Sequence, residues 1–182
     1  MTGILCRYLK QKDGSNAVEA ALLLPILVTM LFGVWEVGRA LTANHKMITA
    51  SQVVADLVAR KPVLTQADLD QAIEAAVLTM LPYAGKSSDF GIDVLSVKFD
   101  SSDNPTKLWE KTYNMGTTAY SNASSADALA ASKGLGVSGE GAMVVTMIYD
   151  YKPTFGSQII PAFRMQERAF TRGRRSALVT FQ

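Results

Sequence analysis

Residues 20–35 form sixteen consecutive uncharged positions, bounded by Glu19 and Glu36. No other feature limits the fold as much, because a helix that is apolar on every side has to be enclosed by protein or by lipid. A spanning helix takes roughly 17 to 25 such residues. The run is slightly short on its own, but residues 37–41 extend its apolar character past Glu36, which predicts a transmembrane part at about 20–41. Arg7, Lys10 and Lys12 precede the run, against Arg39 and Lys46 after it, so the positive-inside rule puts the N-terminus in the cytoplasm.

The charged boundary residue Glu19 needs its own account. A carboxylate at the edge of hydrocarbon is costly and points to function with a partner. A plain membrane anchor leaves it without a role. A cleaved secretory signal would use the small residues Gly38 and Ala40, but Glu36 and Arg39 crowd that cleavage region. Cys6, the single cysteine, lacks the preceding apolar stretch of a lipoprotein signal, and alone it forms no internal disulfide or thiolate metal site.

The segment Gly14-Ser15-Asn16-Ala17-Val18-Glu19 follows a basic leader and precedes the apolar run. It resembles the cleavage region of type IV prepilins, in which a membrane peptidase cuts after the glycine and a glutamate stands five residues beyond the cut. The series continues through Pro25 to Phe32-Gly33 and Gly38-Arg39. In this longer form it resembles the TadE-like minor pseudopilins of the tight-adherence (Tad, Flp) pilus system, with Ala20 where that family often carries an aromatic.

The resemblance implies a leader of residues 1–14, processing between Gly14 and Ser15 by a prepilin peptidase, and a structural rather than enzymatic role in pilus assembly. It also implies as partners other pilins and minor pseudopilins, an inner-membrane assembly platform and the lipid bilayer. The location implied is the bacterial inner membrane, single pass, with a periplasmic C-terminal domain. The alternative is an unprocessed single-pass periplasmic binding or adaptor protein.

Physical chemistry gives the assembly residues specific tasks. Cleavage would leave an α-ammonium on Ser15, with an ordinary pKa of about 7.7 to 8.0. Glu19 of one subunit would pair with that ammonium on another, each lowering the other's desolvation cost and fixing axial register. Pro25 removes one helical hydrogen bond and crowds the preceding turn, which predicts a kink near Ala21.

Beyond the span, Met47, Ala50, Val54, Leu57 and Val58 recur at helical spacing until Lys61-Pro62, so one helix is expected over residues 15–61. A second, short helix starts at Thr65 with Asp68 as its capping partner, buries Leu69, Ile73, Ala76 and Met80, and stops at Pro82. Residues 92–99 alternate as a strand, a turn over 101–105 leads to a second strand through Trp109, and further strands are expected at 143–151 and 163–172. The stretch 114–141 reads as loop with one helical turn near 127–132. The fold expected for residues 62–182 is thus an α+β, pilin-like head with a small antiparallel sheet of about four strands.

Other chemistry finds little support. The net charge of +2 carries no basic stripe with interleaved aromatics, which excludes a nucleic-acid partner. Gly134, Gly136 and Gly139 have dinucleotide-fingerprint spacing but precede a strand instead of opening a helix. Asp100, Ser102 and Asn104 imitate a calcium loop, yet Pro105 and Lys111 occupy the glycine and bidentate-glutamate places. His45 is the only histidine and has no triad or metal companions nearby, Glu36 and Arg39 are spaced for a local pair, and residues 164–175 read as a solvated basic face. No cofactor, metal or catalytic residue is expected.

Overall fold

Helix α1 (Asp13–Ala59) carries two different surfaces along its 47 residues. Between residues 16 and 35 none is buried, whereas Ala43, Met47, Ala50, Val54 and Val58 are fully enclosed. Their spacing of three and four puts these five on one face, so the second half of the helix has a partner and the first half has none. The structure, a computed structural model, describes residues 13–85, 89–114, 125–154 and 161–182, with the side chains of these from residue 16 onward apart from Ser125. Residues 1–12 of the expected leader therefore lie outside the described residues, as does 115–124 within the expected loop. The helix runs through Pro25 without interruption, ending one residue before the Arg60-Lys61-Pro62 step that precludes continuation.

A two-residue strand, β1 (Val63–Leu64), leads into α2 (Gln66–Met80). Thr65 caps α2 as the sequence predicts: its hydroxyl accepts from Asp68 N–H at 3.4 Å, and the Asp68 carboxylate accepts from Thr65 N–H at 3.1 Å. Lys61 donates to the same carboxylate at 2.5 Å. That bond, with those from Thr65, holds the Asp68 carboxyl down to about 2. Leu69, Ala72, Ile73, Ala76 and Met80 are buried against α1. Leu81 is extended ahead of Pro82, which ends the helix.

The head's sheet contains β2 (Phe90–Phe99), β3 (Pro105–Tyr113), β4 (Gly141–Tyr151) and β5 (Phe163–Thr171) in the order β3-β2-β4-β5, every pair antiparallel. The fold is α+β, with α1 and α2 packed on one face. Phe90, Ile92 and Val94 of β2 and Met143, Val145, Met147, Tyr149 and Tyr151 of β4 supply that face. A third helix, α3 (Ser125–Ser132), covers part of the other face, where Ala128 meets Leu95, Val97, Phe99, Ala142 and Val144. The alternation expected at 92–99 is thus replaced by a strand buried on both sides, with a register shift between Ser96 and Val97.

Past β5, the chain returns to the end of α1. Arg174 N–H donates to Ala59 C=O at 2.9 Å, and β6 (Thr180–Phe181) pairs in parallel with β1. Trp109 Nε1 and Ser96 Oγ both donate to Val179 C=O, at 2.7 and 3.1 Å. This closing segment was not expected from the sequence.

Candidate functional site: the exposed half of the long helix and its junction with the head

Residues 16–35 are twenty in number, which at 1.5 Å per residue is about 30 Å, the thickness of a bilayer's hydrocarbon core. The helix is long and apolar enough to cross a membrane, and none of its most apolar window is buried. Leu22, Leu24, Leu27, Met30, Leu31 and Val34 are each more than half exposed. Such a surface is untenable in water and suited to lipid or to a bundle of similar helices.

Of the residues singled out by the sequence, Gly14, Ser15, Glu19 and Pro25 all lie on this half of α1. Glu19 is exposed. Around Pro25 the turn is closed on its C-terminal side by Thr29 Oγ1, which donates to Pro25 C=O at 2.8 Å. His45 is exposed, as a polar position beyond the span would be.

The head begins at Glu36. This side chain is 1% exposed, and its Oε1 accepts from the Tyr151 hydroxyl at 2.5 Å and from Thr154 N–H at 3.2 Å. Burial, then the neighbouring Glu36 carboxylate, pushes the Tyr151 phenol well above its usual range. Arg39 donates to Thr154 Oγ1 and lies over two rings, 5.0 Å from the Trp35 centroid and 5.6 Å from that of Tyr83. Instead of the local Glu36–Arg39 pair expected from the spacing, both side chains engage the base of the head. Sequence reasoning missed this junction because its partners lie more than a hundred residues away. The only local signal was a carboxylate breaking an apolar run.

A second buried carboxylate sits in the sheet. Asp93 is 1% exposed, opposite Thr112 on one side and Thr146 on the other, and Thr146 in turn faces Arg168. Among the described residues, both Asp93 oxygens, Thr146 Oγ1 and Arg168 Nε lack hydrogen-bond partners. Burial pushes the Asp93 carboxyl up to about 7, Glu110 adds to the rise, and Lys107 and Arg168 oppose it.

The two loops considered for ligand chemistry have other uses. Asp100 Oδ1 accepts from Ser102 N–H and Asn104 N–H at 2.8 and 2.9 Å, closing its own turn. Gly134 and Gly139 have φ of +80° and +87°, and a Cβ on Gly136 would stand 2.3 Å from the Phe99 ring. These glycines serve two turns and a close ring contact.

No curated protein and no solved structure gives a significant match to the chain. Residues 14–56, all within α1, match the TadE-like protein family. The match runs from Gly14, through the exposed apolar half and the Glu36 junction, to the buried face of the helix. Over this N-terminal segment, 43 of its 182 residues, the chain is similar to the TadE-like proteins associated with the Tad pilus, and the same helix is a candidate membrane anchor.

Proposed function

We propose that the protein is a minor pseudopilin of a Tad/Flp type IV pilus and performs no reaction of its own. The observation that carries this reading is the bare apolar half of α1, with Glu19 exposed on it, inside a segment that matches the TadE-like family. The helix crosses the inner membrane with its N-terminus cytoplasmic and its head in the periplasm. In this reading the span is the exposed stretch of about 16–35, which ends where Glu36 enters the head, instead of the 20–41 expected from the sequence.

A prepilin peptidase removes residues 1–14 and exposes the Ser15 ammonium. Glu19 then pairs with that group on a neighbouring pilin or pseudopilin, since two opposite charges at the hydrocarbon edge relieve each other's desolvation. Pro25 supplies a softened point in the helix as the protein passes from the bilayer platform into the assembly.

Intact mass after co-expression with and without a prepilin peptidase tests the processing step. Loss of residues 1–14 is the expected result. An unchanged chain would favour a permanently anchored periplasmic adaptor.

A further inference from the structure

We infer that the base of the head is itself a membrane-binding surface, resting on the anionic headgroup layer beside the span. The inference builds on the reading that residues 16–35 lie in the bilayer. If lipid ends near Trp35, whatever protein packs beside residues 35–39 sits at headgroup level. Tyr83 does so through Arg39, and its C=O accepts from the Tyr149 hydroxyl at 3.0 Å, which fixes the Leu81-Pro82-Tyr83 turn there. Tyr151 and Thr154 do so through Glu36, and Phe163 packs on Tyr151 with ring centroids 5.4 Å apart.

The exposed side chains at this level have interfacial chemistry. Trp35, Leu81 and Phe163 are 44%, 45% and 40% exposed. Aromatic rings with a polar or cationic neighbour are favoured at the headgroup boundary, where Arg and Lys stems lie along apolar surface and their charges reach phosphate. Arg39 is held between Trp35 and Tyr83, and Lys152 is exposed and without a carboxylate partner among the described residues.

The acidic groups nearby are engaged within the protein. Glu36 is buried, Asp150 is paired with Arg164 at 2.8 Å, and Asp89 accepts from Gly85 N–H at 3.0 Å. The surface therefore presents exposed apolar side chains with the cations of Arg39 and Lys152 among them, while the carboxylates that balance them are turned into the protein, an arrangement suited to the headgroup layer. Continuity with the apolar span selects lipid over a soluble partner.

Depth-dependent quenching tests the surface on the full chain. Single cysteines replace Leu81, Phe163, Leu27 or Val137 on a Cys6→Ser background, each carrying a bimane. The proteins are reconstituted into phosphatidylethanolamine and phosphatidylglycerol vesicles with nitroxides high or low on the acyl chain. Leu27 reports the span. Val137 reports the far end of the head, since it precedes the start of β4, whose eleven residues extend about 35 Å to Tyr151.

Loss of fluorescence to the high nitroxide at position 81 or 163, with position 137 quenched only by aqueous iodide, is expected. If 81 and 163 both behave as 137 while 27 is quenched by lipid, the inference fails and the membrane reading stands. If 27 is not quenched by lipid, the membrane reading falls and the inference with it.

Discussion

The Tyr151 hydroxyl donates a 2.5 Å hydrogen bond to Glu36, joining the last residue of β4 to the helix 115 positions earlier. A buried carboxylate that accepts from a phenol is held by a charge-assisted bond, of order 1.5 to 3 kcal/mol. Tyr151→Phe deletes the donor and keeps the ring. It is expected to lower stability by about 1 to 3 kcal/mol, read from thermal unfolding in detergent. Glu36→Gln in the same background should cost less than it does alone. Additive losses would show that the two groups are not coupled.

Asp93 predicts an unusual pH dependence. Its carboxyl titrates near 7 when folded and near 3.8 otherwise, so between those values the native state holds the extra proton. Stability from this group is complete below about pH 4 and is lost as pH rises toward 7, by up to about 4 kcal/mol. Asp93→Asn removes that slope, so the variant should gain on the wild type as pH climbs from about 4 to 8. Parallel melting curves across that range would contradict the assignment.

Gly136 is a packing residue. Alanine there drives its methyl group into the buried Phe99 ring, and overpacking of this kind costs about 1 to 3 kcal/mol. Gly136→Ala should therefore destabilise the head, and pairing it with Phe99→Leu should recover part of the loss. Denaturant midpoints of the single and double variants decide the point.

Glu19→Ala separates insertion from assembly. Glu19 is exposed, so the folded chain should reach the membrane at normal levels while its incorporation into a pilus complex is lost. Fractionation and co-purification with other pilins provide the two readouts, and unimpaired incorporation would remove Glu19 from the mechanism.

Local periodicity made much of this architecture legible. The capping box at Thr65, the buried face of α2 and the four strands followed from spacing and turn residues, since each depends on neighbours within a few positions. What escaped were the long-range closures. Two-residue strands such as β1 and β6 carry no periodic signal, whereas α3, anticipated as a single turn near 127–132, is an eight-residue helix in its Gly/Ser/Ala-rich stretch. Glu19 and Gly14 were readable as a motif, whereas Glu36 was read only as a boundary and a local partner of Arg39, and Asp93 became conspicuous only once its burial was known. A polar residue amid an apolar strand or span was the available clue in both cases.

The return of the chain to the end of α1 gives the molecule a mechanical character. Arg174, Thr180 and Gln182 bond to Ala59, Pro62 and Leu64 at the far end of the helix, while Glu36 is held at the near end. The fastening points are 23 residues apart, about 35 Å of rigid rod. Torque that reaches the helix at Glu36 therefore turns helix and sheet together, as a lever with two bearings, so the head reorients as one piece with the helix beyond that point.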